Sequence, residues 1–484
     1  MKKIIILLIV ICSGVISSCK KFLTETPNSL LSSNNFYQTA GDAAVALNGV
    51  FGTLTAQTYY GRTSWTMSEL SGEDLTVPSN SSSDRITVGN YTVNSSNGEV
   101  SNWWVNIYGM INKANDVIAN VPHIAMDTLS RNNIVGNAYF LRALGYFELI
   151  RSFGDVPLLI TPTTSTSNLF PAKTPVAQIY PQIISDLQYA EANCFLEKNI
   201  TAANKGQVSS GAASTMLAKV YLTRGSSSLN VATDYANALV ECNKVINSGQ
   251  YTLLPSYSAI FNWTAKFPAV PENIFSVQFA QPPSVGNIII RMLTSAQTTP
   301  AGSASFYCTP YFAKSYIAAD SIRKKASITN IDVSATGVKT TNANYFFIKF
   351  NQDPTWTAQS NNSAANWIIT RYADVLLMQS EALYFINPQD PNIFNGINAV
   401  RARAGLTGTY QLNFTNTPSN TFIQALLNER QWELCMEGHR RWDLIRLGGL
   451  QAALLAGKNI TLPTNNPLLP IPATQIALDS LLAK

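Results

Sequence analysis

IVGNAYFLRALGYFELIRSFGDVP, at residues 134–157, is the stretch that decides the fold. Its apolar residues recur at three- and four-residue steps, which place them on one face of an α-helix. These positions are Ile134, Ala138, Leu141, Gly145 and Leu149. Because an isolated helix of this length is only marginally stable in water, the apolar face must pack against other helices. Gly145 lies where a second helix would have to approach closely.

Helices with the same pattern are predicted on both sides of this stretch. The preceding helix, from Trp104 to Ile118, forms an antiparallel pair with it, joined around Val121-Pro122. Further helices are predicted at 179–192, 209–223, 235–246, 372–383 and 393–404. Such repeated pairs are typical of tetratricopeptide-like arrays, in which each pair buries its apolar face against its neighbours. We therefore predict an all-α fold with a tetratricopeptide-like helical hairpin core, whose helices occupy about 103–250 and 368–446.

Two segments interrupt the helical pattern. Residues 72–98 are dominated by Ser, Asn, Thr and Gly, and residues from about 251 to 366 are rich in Pro, aromatic residues and Asn. Long loops of this kind carry function more often than stability. We predict that 251–366 forms a large irregular, loop-rich insertion that binds the ligand.

The N-terminus predicts export and lipidation. Lys2 and Lys3 precede an apolar run at 4–12, and Ile-Ser-Ser-Cys at 16–19 is a cleavage site of small residues that ends in cysteine. The apolar run is too short to cross a hydrocarbon core, which needs about 20 residues of helix. We expect residues 1–18 to be a lipoprotein signal peptide, Cys19 to be lipidated, and residues 19–36 to form a tether before a domain at 37–484.

Composition argues against several classes of protein. The formal net charge is +5 and only 13% of residues are charged, so no nucleic-acid footprint is visible. The scattered cysteines form no CxxC pair, which indicates buried free thiols and no disulfide framework or zinc site. These cysteines are Cys194, Cys242, Cys308 and Cys435. His123 and His439 lie on different predicted elements, and no calcium-loop motif is present. We expect no metal and no cofactor.

Three glutamates near the C-terminus suggest either catalysis or a structural role. Glu429, Glu433 and Glu437 lie four residues apart, on one predicted helix face, where their charges repel unless cations are near. A glycosidase instead needs two carboxyls facing each other across a cleft, about 5 to 9 Å apart. We predict a structural ion network and no enzymatic activity. The cations available nearby are Arg401, Arg403, Arg430, Arg440, Arg441 and Arg446, of which Arg440 and Arg441 are our first candidates.

Aromatic residues and asparagines crowd the insertion. Neutral sugars are bound by rings that stack on their C–H faces and by polar groups that bond to their hydroxyls, so both ingredients indicate a glycan site. Trp263 and Trp356 rank first, because both flank Asn- or Pro-rich sequence and neither continues a helical pattern. The other candidates are Trp65, Tyr307 and Tyr311, followed by Tyr91 in the 72–98 loop. The alternative for each ring is a place in the core, since aromatic side chains supply much of the buried area of any domain.

Six motifs, in order along the chain, resemble the SusD/RagB family of Bacteroidetes. They are CKKFLTETP at 19–27, the helix at 104–115, the stretch 138–157, RYADVLLM at 371–378, INAVRARAGL at 397–406 and ERQWELCMEGHRRWDLIR at 429–446, with LPIP at 469–472 after them. The chain departs from the family at Lys20 and Lys21, which stand where an acidic cluster often marks surface export.

The resemblance implies a lipoprotein anchored in the outer membrane and facing the cell exterior. It would bind glycan and deliver it to a SusC-like TonB-dependent transporter, for which it forms a lid. The tetratricopeptide helices would face the barrel, and the irregular loops would face the ligand. Two alternatives remain: a tetratricopeptide scaffold, and a SusD-like protein that binds peptide.

Overall fold

The computed structural model describes residues 36–163, 170–201, 204–262, 270–280, 285–295, 302–333, 337–351, 363–462 and 467–483. The described chain is predominantly helical, which confirms the predicted fold class. Its helices are α1 (Ala40–Leu54), α2 (Thr63–Trp65), α3 (Ser83–Gly89), α4 (Gly98–Asn120), α5 (Thr128–Phe153), α6 (Val176–Asn193), α7 (Ser210–Ser226), α8 (Thr233–Asn247), α9 (Ile289–Leu293), α10 (Pro310–Ser315), α11 (Ser321–Ser327), α12 (Tyr372–Ile386), α13 (Ile393–Arg403), α14 (Phe422–Leu434), α15 (Arg440–Arg446), α16 (Leu450–Lys458) and α17 (Ala473–Leu478). A π-helical turn, Thr66–Leu70, continues α2.

Local signals in the sequence set the ends of the long helices. Helix α1 begins with a capping box, in which Thr39 and Asp42 satisfy each other's backbone N–H groups. Asp127 caps α5 by accepting a hydrogen bond from the N–H of Ser130 at 2.8 Å. Helix α5 ends at Gly154, whose φ of +76° suits glycine. The deciding stretch of sequence is thus a single helix with a defined start and stop.

Consecutive helices from α4 to α8 pack against one another in chain order. Helices α4 and α5 approach closely at Gly145, where a Cβ atom would lie 2.9 Å from Cγ1 of Ile111. The array then continues from α8 directly to α12 and α13, although the insertion separates them in sequence. Tyr235 of α8 stacks on Phe385 of α12 with ring centroids 4.4 Å apart. The helical core is therefore one array that the insertion does not divide.

The six strands in the described part of the chain lie in two small sheets. They are β1 (Leu75–Thr76), β2 (Asn273–Val277), β3 (Tyr307–Cys308), β4 (Ile328–Val333), β5 (Lys339–Phe347) and β6 (Trp367–Arg371). Strands β2 and β6 pair antiparallel, with Asn273 opposite Arg371. Strand β2 lies near the start of the insertion and β6 directly follows its end, and the N–H of Tyr372 donates to the carbonyl of Glu272 at 2.8 Å. The insertion therefore leaves and rejoins the helical array at one place.

Most buried apolar residues form one core cluster that runs through the helical array and into the insertion. The four predicted free cysteines, Cys194, Cys242, Cys308 and Cys435, are all unpaired and buried, which confirms that expectation. Among the helices described, none is long and apolar enough to span a bilayer.

Candidate functional site

The second sheet joins the two irregular segments of the sequence. Its strand order is β1-β3-β5-β4, so β1 from the 72–98 segment pairs with β3 of the insertion. Leu75 lies opposite Cys308, Thr76 opposite Tyr307, and Cys308 opposite Tyr345. The hydroxyl of Thr309 also donates to the carbonyl of Glu73 at 2.7 Å. Residues more than two hundred positions apart thereby form one surface.

One face of this sheet carries Thr76, Tyr307, Thr329 and Phe346, and we call it the outer sheet face. Side chains alternate between the two faces of a strand, so these residues point away from the buried Leu75 and Cys308. Tyr307 is partly exposed and meets the buried ring of Phe346 edge to face, with centroids 5.7 Å apart. This face offers what sugar recognition needs, namely a held, accessible ring beside threonine hydroxyl groups.

Tyr311 is exposed but stands apart from the outer sheet face. It lies on α10, which packs against α16, and 39% of the residue is exposed. Burial of its other side and the nearby carboxylate of Glu73 raise the pKa of its hydroxyl. Tyr311 remains a candidate for stacking on a ligand.

Trp65 is not an accessible ring, and this expectation is corrected. The residue is 0% exposed, and its ring packs edge to face on Phe306 at 4.6 Å. Its indole N–H donates to the carbonyl of Gly61 within the same helical turn. The short helix α2 turns Trp65 inward, so a sugar could reach it only if the core opened. Tyr59 and Tyr60 are buried as well.

Tyr91 is partly exposed and is held by contacts at its hydroxyl and on one face of its ring, so it stays a candidate for contact with the ligand through its other face. Its hydroxyl donates to the carbonyl of Ser71 at 2.5 Å and accepts a hydrogen bond from Arg441 at 2.8 Å. The guanidinium of Arg441 also lies 5.2 Å from the ring centroid and covers one face. Since both the hydroxyl and a face are occupied, Tyr91 fastens the 72–98 loop to α15. Trp263 and Trp356, the first-ranked candidates, lie outside the described residues, as does Cys19.

Glu429 and Glu433 are fully buried on α14 and are surrounded by guanidinium groups. Glu429 bonds to Arg323 at 2.5 Å and to Arg401 at 2.7 Å. Glu433 bonds to Arg371 at 2.6 Å and also pairs with Arg403. Burial alone would raise the pKa of Glu433, but the guanidinium groups of Arg403 and Arg371 outweigh it and lower the pKa to about 2.

Glu437 joins the same cluster although it lies beyond the end of α14. Its carboxylate bonds to Lys349 at 2.5 Å and to Arg371 at 2.7 Å. Burial opposes ionisation of Glu437, but Arg371 and Lys349 hold its pKa below the ordinary value. Arg371 also bonds to Glu272 at 2.7 Å. We call this set the buried ion cluster; its members are Glu272, Arg323, Lys349, Arg371, Arg401, Arg403, Glu429, Glu433 and Glu437.

The cations of the buried ion cluster are not those that the sequence placed first. Arg440 pairs with Glu73 instead, and Arg441 bonds to Tyr91 and to the carbonyl of Pro467. The expectation that Arg440 and Arg441 neutralise the three glutamates is therefore wrong. They lie on α15, after a sharp reversal at Gly438 with φ of +83°, so they do not continue the helix face of α14.

Glu69 is a buried carboxyl in the π-helical turn. It accepts a hydrogen bond from the N–H of Gly438 at 2.6 Å. Burial raises its pKa from 4.5 to about 7. Between these two values the folded protein holds one proton more than the unfolded chain, so its stability falls as pH rises through this window.

Glu69→Gln is therefore expected to stabilise the protein by about 1 to 3 kcal/mol at about pH 8 and to change little at about pH 4. The amide cannot ionise, and its oxygen can still accept the hydrogen bond from Gly438. Urea unfolding at both pH values measures the difference. Equal stabilities of variant and wild type at the higher pH would contradict the assignment.

Two open clefts lie away from the outer sheet face. The larger, of about 450 Å³, is lined by Glu197, Lys198, Gln250, Tyr251 and Asn273 among others. The smaller, of about 170 Å³, lies between the end of α1, the loop at 204–207 and the end of β2. Neither cleft was anticipated, because its lining residues come from separate parts of the chain and only the fold brings them together. Within the described ranges, no group of three or more His, Cys, Asp or Glu residues could hold a metal ion.

Family models match both ends of the chain. The model of the SusD family matches residues 294–482, and a model described as "starch-binding associating with outer membrane" matches residues 21–222. The chain belongs to the SusD/RagB family. Strands β3 to β5 and helices α10 to α17 lie within the first match, helices α1 to α6 and strand β1 lie within the second, and α8 lies between the two.

Relatives of the SusD/RagB family match over nearly the whole chain. SusD-like protein P25 of Formosa agariphila is 27% identical over 477 residues, covering 89% of this chain and 87% of that protein. A SusD superfamily protein from Parabacteroides distasonis has a TM-score of 0.80 at 23% identity, covering 93% of this chain and 98% of that one. A laminarin-binding SusD-like protein has a TM-score of 0.76 at 26% identity, covering 92% and 98%.

Proposed function

We propose that this SusD/RagB protein is a glycan-binding lipoprotein that captures oligosaccharide outside the outer membrane and delivers it to a SusC-like TonB-dependent transporter. The observation that carries the proposal is the whole-length similarity to a SusD-like protein that binds laminarin. The outer sheet face supports it, because it presents Tyr307 as a partly exposed ring beside hydroxyl groups. Tyr91, Tyr311, Trp263 and Trp356 remain further candidates for contact with the glycan.

A binding role without catalysis fits the state of the C-terminal carboxylates. A general acid of a glycosidase needs a raised pKa and contact with the substrate. Glu433 and Glu437 instead have lowered pKa values and are enclosed by cations. We propose that the buried ion cluster is structural.

The location of the protein follows from the same proposal. We propose that Cys19 carries the lipid after removal of residues 1–18, that residues 19–36 form the tether, and that the domain at 37–484 lies outside the outer membrane. The helical array would face the transporter, and the insertion at 251–366 would face the ligand. The family model described as associating with the outer membrane supports this arrangement.

The proposal is tested by calorimetric titration of the purified protein with oligosaccharides of laminarin, xyloglucan and starch. Binding of at least one of them is expected. Reducing-sugar release, measured on the same samples, is expected to be absent. Failure of every glycan to bind, together with binding of peptides, would favour the peptide-binding alternative.

Tyr307→Ala is expected to weaken binding of the best glycan about 30-fold, because an anchoring ring contributes about 2 kcal/mol. Tyr410→Ala is the matched control, since Tyr410 is 47% exposed and lies in a different part of the chain. Unchanged affinity in a stably folded Tyr307 variant would exclude the outer sheet face and leave the other candidate rings.

A further inference from the structure

Half of the twelve residues that line the smaller cleft are uncharged and polar, and we call it the amide cleft. It contains the side-chain amides of Asn48, Asn204, Gln207 and Gln278. Among the residues lining it, Lys205 alone is charged. An amide offers both a donor and an acceptor, which is what the hydroxyls of an uncharged sugar require. The lining thus favours a neutral ligand rich in hydroxyl groups.

Phe51 supplies an apolar wall to the amide cleft. It lies on α1, it is partly exposed, and it packs against the main core. A ring held in this way can contact the C–H face of a pyranose. The larger cleft lacks this combination, because its ring, Tyr251, is only 5% exposed and its lining includes both Glu197 and Lys198.

Two amides of the cleft, those of Gln207 and Gln278, are held in place by the protein. The oxygen of Gln278 accepts a hydrogen bond from Asn366 at 3.0 Å, and its nitrogen donates to the hydroxyl of Ser276 at 2.8 Å. The oxygen of Gln207 accepts a hydrogen bond from Asn133 at 2.9 Å, which leaves its NH₂ group as a donor. Groups fixed before a ligand arrives cost less entropy on binding.

Close packing between the loop at 204–207 and the end of β2 also fixes one side of the amide cleft. Gly206 has a φ of +86°, and a Cβ atom there would lie 2.6 Å from Cγ of Gln278. Only glycine allows the loop this conformation and this approach. The shape of the amide cleft on this side is therefore set by the packing of the fold.

We infer that the amide cleft binds one uncharged pyranose unit, as a second glycan subsite separate from the outer sheet face. Its volume of about 170 Å³ corresponds to roughly ten water molecules, which is room for a single sugar ring. The two sites share no lining residue. This inference rests on the proposed function, because it assigns a further part of the protein to the same class of ligand.

The test uses methyl glycosides of glucose, galactose, mannose and N-acetylglucosamine, titrated into the purified protein and followed by ligand-observed NMR. At least one is expected to bind the wild type. Asn48→Ala combined with Asn204→Ala is expected to weaken it about tenfold, because each lost hydrogen bond contributes modestly. Asn395→Ala is the matched control, since Asn395 is exposed on α13 and lies outside the cleft.

Three results would overturn the inference. The first is failure of all four glycosides to bind. The second is equal binding by the wild type and the doubly substituted protein. The third is binding of an anionic probe alone, such as methyl glucuronide, which the charge of Lys205 would explain. The oligosaccharide titration with Tyr307→Ala separates the two proposals. If Tyr307→Ala weakens oligosaccharide binding while the Asn48/Asn204 variant binds glycosides like the wild type, only the second subsite fails. If no oligosaccharide and no glycoside binds, both proposals fail.

Discussion

Replacement of Arg371 by methionine is expected to lower the free energy of unfolding by about 3 to 5 kcal/mol. The side chain of Arg371 is 0% exposed and bonds to three carboxylates, those of Glu272, Glu433 and Glu437. Methionine has a similar volume but cannot compensate these charges. The three carboxylates keep their other cations, Arg323, Lys349 and Arg403, but the cluster loses one buried positive charge and each carboxylate loses a hydrogen bond. This loss costs more than burial of the methionine side chain contributes.

Urea unfolding followed by circular dichroism measures the effect of Arg371→Met. Arg131→Met, at the start of α5, is the control and is expected to change stability by no more than about 0.5 kcal/mol. Adding Glu437→Gln to Arg371→Met should recover part of the loss, because it removes the excess negative charge that the loss of Arg371 leaves in the cluster, while the glutamine oxygen can still accept a hydrogen bond from Lys349. A variant that unfolds like the wild type but loses glycan affinity would make the buried ion cluster part of the binding site.

Cys19→Ser is expected to move the protein almost completely from the membrane fraction to the soluble fraction. Cys19 is the predicted acceptor of the lipid, and buried acyl chains contribute about 0.8 kcal/mol per CH₂ group. The wild type should therefore stay in the membrane pellet through a high-salt wash. The two proteins are compared by ultracentrifugation and immunoblotting of cell fractions.

Cys12→Ser is the control for this fractionation. Cys12 lies within the predicted signal peptide, so its substitution should leave the protein in the membrane fraction. If Cys19→Ser remains in the membrane of cells that lack the transporter, the lipid anchor is not at Cys19.

The helical array could be predicted because its signal is periodic. From 103 to 250 and from 372 to 404 the apolar residues repeat at helical spacing, and each helix meets its neighbours in the order of the chain. The continuation from α8 to α12 could not be predicted in this way. It depends on a contact between helices that the insertion separates, and no local pattern encodes that contact.

The sheet and the buried ion cluster escaped prediction for a different reason. Strands β1 and β3 have two residues each, too few for an alternating pattern to be recognised. The buried cations Arg323, Lys349 and Arg371 lie in or beside irregular sequence. Without a periodic pattern, the sequence there does not distinguish a buried cation from a solvent-exposed one. The three glutamates were identified, and so were two of the cations, Arg401 and Arg403. The first candidates, Arg440 and Arg441, were chosen because they are close to the glutamates in sequence.

The aromatic candidates illustrate the same difficulty. Trp65 and Tyr307 both lie near irregular sequence, yet the first is fully buried and the second is partly exposed. The difference arises from α2, which turns Trp65 onto Phe306, and from the strand alternation that turns Tyr307 outward. A helix of three residues and a strand of two residues are both too short to be recognised from a sequence pattern.

The pairing of β2 with β6 affects which parts of the protein can vary in sequence and length during evolution. The strand pair closes a long segment of the chain at its base. Beyond it, Arg323 and Lys349 attach the insertion to Glu429 and Glu437, and β3 pairs with β1. Lengthening a loop of the insertion costs little, because closure entropy grows slowly with loop length. Loops of the insertion that lie outside these contacts can therefore change in length while α8 and α12 keep their contact, so the exposed surface of the insertion can vary on an unchanged scaffold.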